Sequence, residues 1–361
     1  LKIGTKNIVR DGPPWVMAEI GVNHDGVEEK GVRLVEAAAQ ATCEAVKFQL
    51  FRADLLLAKE AGLVGYQEKG AAPPHSADEL LSGLEMTPEV MGRLVKRAQG
   101  LGMAAVVTPF SVELVKACVE MGVDAIKLAS PDLVNLPLVE AACATGLPVI
   151  LSTGAAELSE VERTVGWLWR CGAGERAVIL HCVSCYPTPA ERATLGAVTV
   201  LRQRLGEMPV GYSDHTVETF TAALAVGCGA CVLEKHLTLD RTAKGPDHAA
   251  SLEPAQMAEY CALARIGFAM RGPFAKQVLA EEREVRQQTR QSVVACGDLG
   301  AGTVLTREML CVKRPGTGVP AAEIERMVGR TLVRDVKGNC VVQWEDVGEI
   351  ENRKLEIEKE Q

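Results

Sequence analysis

Eight short apolar runs recur along the chain: Trp15–Ile20, Ala45–Leu50, Ala104–Val107, Ala125–Ala129, Pro148–Leu151, Ala177–Leu180, Pro209–Tyr212 and Cys231–Glu234. Their starts are 21 to 32 residues apart, except for one gap of 59. Between most of them lies a helical pattern, as in Val32-Arg33-Leu34-Val35-Glu36-Ala37-Ala38 or Val112-Glu113-Leu114-Val115-Lys116-Ala117-Cys118. Seven near-even βα repeats and one insertion predict an α/β fold, a (β/α)8 TIM barrel of ~250 residues. An open doubly wound sheet is the competitor. It would place Gly-x-Gly-x-x-Gly after the first strand, where this chain reads Gly21-Val22-Asn23-His24-Asp25-Gly26. The long gap, from Phe51 to about Leu84, is rich in Gly, Pro and charge and is expected to form a long active-site loop.

The repeat ends near Met270, where Arg271-Gly272-Pro273 breaks the last helix, so the barrel is assigned to 1–270. Residues 271–290 read as a charged linker or linker helix. Residues 291–347 read as a small α+β domain with one helix at Ala321–Val328, and 348–361 as a charged, frayed tail.

A formal charge of −8 argues against a nucleic-acid or anionic-membrane surface, while leaving local lysines free to hold a small anion. No apolar run approaches the ~20 residues needed to span a bilayer. Twelve cysteines with no secretory pattern in the first thirty residues suggest a reducing cytoplasm. Two Cys-x-x-Cys pairs, Cys182/Cys185 and Cys228/Cys231, suggest a zinc ribbon. One pair follows a strand and the other precedes one, so they belong at opposite sheet edges and read as buried thiols.

Barrel enzymes carry their reactive groups at the carboxyl ends of the strands. Those ends here bear Glu19, Lys47 with Gln49, Thr108, Lys127 with Ser130, Ser152 with Thr153, Ser184 with Tyr186, Ser213 with His215, and Glu234 with Lys235 and His236. A hydroxyl after a strand is ordinarily a helix cap. A lysine inside an apolar strand is harder to dismiss, because an unpaired buried ammonium is costly. Lys47 and Lys127 with several hydroxyls suit a phosphate; Schiff-base chemistry is the rival for either lysine. His215 and His236 lie 21 residues apart, one βα repeat. On neighbouring strands ~4.8 Å apart their imidazoles can share one ion. The alternative is a pair of hydrogen-bonding barrel residues. Asp214, Glu234 and Asp247 are the nearby carboxylates, and an ion with open positions would polarise a carbonyl. His24, His75, His181 and His248 are weaker candidates, with His181 expected in the barrel interior.

The segments Ala18–Gly26, Lys47-Phe48-Gln49, Thr108-Pro109-Phe110, Leu151-Ser152-Thr153-Gly154, His181–Pro187, Gly211–Thr216, Glu234–Asp240 and Gly245-Pro246-Asp247-His248 together resemble the sialic acid synthase family. Val312-Lys313-Arg314-Pro315-Gly316-Thr317-Gly318 resembles the C-terminal antifreeze-like (SAF) domain of its bacterial members. The resemblance spans almost the whole chain. It implies condensation of phosphoenolpyruvate with open-chain N-acetylmannosamine, giving N-acetylneuraminate and phosphate. It further implies a divalent ion, Mn²⁺ or Mg²⁺, on His215 and His236. Lys47, Thr108, Lys127, Ser130, Ser152, Ser184 and Ser213 match positions that hold phosphoenolpyruvate. Glu19 matches a carboxylate beside the reacting carbons, and Gln49, Tyr186 and Asp247 match sugar contacts. Arg314 matches an arginine that reaches the partner's barrel in a domain-swapped homodimer.

Three departures stand out. Ser130-Pro131-Asp132 replaces the family's Ser-Gly-Glu, which puts Asp132 at a sugar-contacting position; Thr194-Leu195 replaces Asn-Leu; and Ser184 stands where some relatives carry Asn. Synthases for legionaminic or pseudaminic acid, or for a spore-coat sugar, use the same chemistry. A non-catalytic sugar-binding scaffold is the reading of a different class.

Overall fold

The computed structural model describes residues 1–62 and 76–348, in two compact units divided between Pro273 and Phe274. In the first, the eight apolar runs become strands β1 (Trp15–Gly21), β2 (Ala45–Leu50), β3 (Ala104–Pro109), β4 (Ala125–Leu128), β5 (Val149–Ser152), β6 (Ala177–Cys182), β7 (Val210–Asp214) and β8 (Val232–His236). All are parallel and close in chain order, with β8 pairing back onto β1. Several strands run beyond the apolar runs, so that Pro109, Ser152, Cys182, Asp214 and His236 complete them. The ladder is made by backbone groups, so polar side chains at the barrel mouth do not end it.

One principal helix follows each strand: α1 (Glu28–Gln40), α2 (Pro88–Gly100), α3 (Val112–Met121), α4 (Leu136–Ala144), α5 (Leu158–Arg170), α6 (Gly196–Arg204), α7 (Thr221–Gly227) and α8 (Pro254–Arg271). Their starts carry local signals. Thr87 accepts a hydrogen bond from the Val90 amide with Pro88 in the first turn of α2, and Glu253 and Gln256 form a capping box around Pro254 of α8. α8 stops at Gly272, whose φ of 60° is open to glycine at little cost. Leu34, Val35 and Ala38 of α1 and Leu94 and Val95 of α2 join the outward faces of the strands in one buried layer. Each such Leu or Val contributes about 1.5–3 kcal/mol on burial.

The lower barrel is filled by Met17, Ala45, Val106, Ala125, Ile150, Val178, Leu180 and Val232. Ile3 and Ile8, from the N-terminal hairpin that pairs Lys2–Ile3 with Lys6–Asn7, complete that cluster from below. In the long β2–α2 connection, short helices span Ala53–Leu56 and Ala77–Ser82. Leu80, Leu81 and Leu84 pack with Val22, Phe51 and Phe110. His75 and the rest of 63–75 lie outside the described residues, as does the tail beyond Gly348.

The second unit contains α9 (Glu282–Thr289), within the expected linker, and an antiparallel pair, β9 (Ser292–Ala295) and β10 (Leu310–Lys313). Isolated bridges extend this pair around a core of Val293, Leu305, Leu310, Val319, Met327, Leu332 and Val342. The helix expected at Ala321–Val328 is a 3₁₀ turn, Ala321–Glu323, running into Ile324–Met327. It ends early because Val328 is extended and Gly329 turns through a φ of 83°. The twelve cysteines are all free; of the two Cys-x-x-Cys pairs, Cys182 and Cys231 are buried as expected, while Cys185 is exposed and Cys228 half-buried. Among the described residues no helix is long and apolar enough to cross a membrane.

Candidate active site

Parallel strands alternate inward and outward, and that parity builds the site. Above the apolar floor the even strands contribute Lys47, Lys127 and Glu234, and the odd strands contribute Glu19, Thr108, Ser152 and Ser213. All seven side chains are buried. Lys47 Nζ lies 3.0 Å from Glu19 and 3.4 Å from Glu234, and Lys127 Nζ lies 3.7 Å from Glu234. Lys127 also donates to Ser152 Oγ at 2.7 Å, and Ser213 donates to Glu234 at 2.9 Å. Glu234 thus sits between two ammonium groups. Burial opposes its charge, but Lys127 and Lys47 outweigh it and hold the carboxyl down to about 2.

Glu19 takes the opposite course. Burial drives it up to about 7, against the pull of Lys47 and with help from the Glu234 charge. Gln49 Nε2 donates to Glu19 Oε1 at 2.7 Å. This bond passes over Gly21, where a β carbon would come within 2.6 Å of Glu19 and 2.9 Å of Gln49. Glycine is therefore required there on two counts, since its φ is 51°. Lys47 remains a cation: burial lowers it, but Glu19 and Glu234 more than restore it. Lys127 is drawn down, mainly by burial. Two acids whose surroundings push them apart are the arrangement expected of an ionised electrostatic group beside a proton-transfer group.

His215 and His236 come together at the same mouth, with ring centroids 5.3 Å apart, and Tyr186 lies 4.0 Å from the His215 ring. His215 Nδ1 is 2.8 Å from the Val183 carbonyl, a contact that directs the neutral ring's lone pair to Nε2. Cys182 Sγ lies 3.8 Å from the same nitrogen. Burial lowers His215, but Cys182 and Val183 raise it overall. Burial, reinforced by the His215 and Lys47 charges, keeps His236 well below the usual imidazole range. His236 Nδ1 is buried without a hydrogen-bond partner, 3.6 Å from Asp247. A neutral ring with an orphaned nitrogen beside a second imidazole fits a divalent ion. Among the described residues no cluster of three or more His, Cys, Asp or Glu groups is arranged for metal binding. An ion held here would therefore take its other ligands from water or substrate.

The pocket is lined by Lys47, Gln49, Lys127, Ser130, Ser152, Tyr186, Ser213, His215, Glu234, His236 and Asp247. Not every expected residue is among them. Glu19 does not line the pocket: it is fully buried, held by Gln49 and Lys47, which do line it. Thr108 is buried behind the lining with its hydroxyl unpartnered. Asp132 accepts from Asn135 Nδ2 within its own 3₁₀ turn. Ser184 is exposed and lines a neighbouring cavity between α5 and α6. Arg314 is exposed on the second unit.

Two readings need correction. His181 is not in the barrel interior; it faces outward, stacking on Tyr212 and approaching Ala193 O at 3.0 Å. Asp214 does not belong with the histidines, because it faces outward and pairs with Lys235 at 3.0 Å. Sequence reasoning missed Cys182 as a lining residue and read Glu234 as a carboxylate for the ion. Its spacing of two from His236 signals the shared inward face. It also missed the apolar rim of Val22, Leu81, Leu84, Phe110 and Pro246.

The NeuB family profile matches residues 34–274, and the SAF domain profile matches 290–348. The chain belongs to the NeuB family. Across 336 residues it is 34% identical to an N,N'-diacetyllegionaminic acid synthase of Legionella pneumophila, covering 92% of this chain and 94% of that one. A Campylobacter jejuni protein of the same name is 34% identical over 323 residues, covering 89% and 96%. The crystal structure of an N-acetylneuraminic acid synthetase from Leptospira borgpetersenii superposes with a TM-score of 0.72 at 32% identity, covering 79% of this chain and 94% of that one. NeuB relatives are nonulosonic acid synthases, enzymes of carbohydrate biosynthesis, and the chain pairs that family's barrel with a SAF domain.

Proposed function

We propose that this NeuB protein condenses phosphoenolpyruvate with the open-chain form of an N-acetylated mannosamine-type sugar and water, releasing a nonulosonic acid and phosphate. The observation that carries the reading is the buried pair Lys47 and Lys127, organised by Glu234 beside two facing imidazoles. Two cations with the Ser152 and Ser213 hydroxyls suit an enol phosphate and its carboxylate. Glu234 Oε2 lines the pocket and is buried without a hydrogen-bond partner, which leaves an acceptor for a hydroxyl or water of the reacting ligands.

In the reaction, carbon 3 of the enol attacks the sugar aldehyde, forming the carbon–carbon bond while the carbonyl oxygen takes a proton from solvent water. Carbon 2 becomes electron-poor and adds water. Glu19, held near neutrality, accepts the proton of that water. The tetrahedral adduct then breaks its carbon–oxygen bond to phosphate as its hydroxyl becomes the keto group and passes its proton to the departing phosphate, whose charge Lys47 and Lys127 stabilise. A divalent cation on His215 and His236, Mn²⁺ or Mg²⁺, would supply Lewis-acid polarisation of the sugar carbonyl. Gln49, Tyr186 and Asp247 orient the sugar.

N-acetylmannosamine is the acceptor we assign to this reaction. A second reading, an acceptor with two N-acetyl groups, is favoured by the names of the Legionella and Campylobacter relatives. The apolar rim offers surface for a second acetyl methyl. Arg314 is proposed to reach the sugar of a partner subunit in a domain-swapped homodimer.

The test is phosphate release by purified protein given phosphoenolpyruvate, Mn²⁺ and a panel of mono- and di-N-acetylated sugars. Release with one acceptor identifies the substrate. No release with any of them favours a sugar-binding scaffold.

A further inference from the structure

Behind the candidate site, on the opposite face of the same two strands, lies a second buried ion pair that the reaction does not use. Asp214 of β7 and Lys235 of β8 are paired in register, both at 0% exposure, with Oδ2 and Nζ 3.0 Å apart. Their side chains face α7 and α8 rather than the barrel. Asp214 Oδ2 accepts from Thr221 Oγ1 of α7 at 2.6 Å, and Lys235 Nζ lies 5.3 Å from the ring centre of Tyr260 on α8.

We propose that Asp214 and Lys235 are positioning residues that hold the His215–His236 pair in its facing geometry; the proposal rests on the metal reading given above. Sequence adjacency ties the pair to the barrel mouth. Asp214 stands between Ser213 and His215, and Lys235 between Glu234 and His236, so the pair flanks four barrel-mouth residues from behind. It also holds both backbone groups of the residue after His215. Asp214 Oδ1 accepts from the Thr216 amide at 2.8 Å, and Lys235 Nζ donates to the Thr216 carbonyl at 2.6 Å. His215 therefore sits between a strand residue and a peptide that are both tied to one ion pair.

Stability alone is a poor account of this arrangement. Burying two charges costs several kcal/mol per ion, and apolar residues of similar volume commonly serve a core as well or better. What an apolar pair cannot do is bind Thr216 by hydrogen bonds at both its amide and its carbonyl. A group hydrogen-bonded to a metal-binding histidine typically governs affinity by 10–100-fold; for His215 that group is the Val183 carbonyl, and a shift of the tethered Thr216 peptide would break the contact.

The experiment replaces both partners, Asp214→Leu with Lys235→Met, so that no unpaired charge is left behind. Titration with Mn²⁺ alone should show affinity weakened roughly 10–100-fold, while the melting temperature falls only as far as the loss of partners for the buried Thr216 amide and carbonyl accounts for. A crystal structure of the double variant should show His215 displaced from its Val183 hydrogen bond. Wild-type Mn²⁺ affinity together with an unmoved His215 overturns the proposal. If the unaltered protein binds no Mn²⁺, the metal reading fails, and the position of His215 in the variant decides this proposal alone. Should the double variant not fold, Lys235→Met alone, which removes the donor to the Thr216 carbonyl, is carried through both measurements and judged by the same outcomes.

Discussion

Glu19 and Glu234 flank one ammonium group, Lys47, at 3.0 and 3.4 Å, yet the first is raised to about 7 and the second lowered to about 2. Burial pushes both upward; at Glu234 it is outweighed by Lys127, 3.7 Å away, together with Lys47, His236 and the Ser213 hydrogen bond. Ionised Glu234 then discourages ionisation of Glu19.

That split sets a pH dependence. Glu19 must be deprotonated to accept a proton from water, so kcat/KM should rise as pH passes about 7. Glu19→Gln should lose this rising limb and lower kcat by about 10²–10⁴-fold. A pH profile that keeps the limb in the variant assigns it to another group.

Lys47→Met should raise the KM for phosphoenolpyruvate by roughly 10–150-fold, the loss expected for about 1.5–3 kcal/mol of charged hydrogen bonding. Lys47→Arg should rescue little, because a planar fork does not fit a site built around a point charge between two carboxylates. Steady-state kinetics with an unchanged KM would move the phosphate elsewhere in the barrel.

His236→Ala should abolish turnover while leaving the circular dichroism spectrum intact, because one imidazole cannot replace a pair in holding an ion. Near-normal turnover by the unaltered protein after exhaustive chelation would count against any role for a cation.

Thr194 is β-branched yet adopts a φ of 45°, a left-handed conformation that asparagine tolerates better. Thr194→Asn should stabilise the barrel by about 1 kcal/mol, a rise of roughly 2–4 °C in melting temperature. Calorimetry showing a lower melting temperature would mean that the 3.2 Å contact from Thr194 Oγ1 to His181 outweighs the backbone strain.

The barrel was legible because eight runs with near-even spacing have few other ways to be buried. Inward lysines were legible too, since Lys47 and Lys127 interrupt runs that are otherwise apolar. Parity was harder to read. Strands covered on both faces are apolar on both faces, so they lack the alternation that marks a half-exposed strand. His181 and Asp214 were misassigned for that reason. Counting in twos from Glu234 and His236 on β8, or from Ser213 on β7, places Asp214 and Lys235 outward. Asp132 and Ser184 sit on connections after the strands, where strand period gives no guidance.

The hairpin that brings Ile3 and Ile8 beneath Met17 and Val178 has a consequence for traffic. With the bottom stoppered by hydrocarbon, a charged molecule has no through-route along the barrel axis. Among the described residues, what enters from the mouth leaves by the mouth, along a pocket lined in part by Val22, Leu81, Leu84, Phe110 and Pro246. Exit of a bulky product would then compete with the next arrival for one opening.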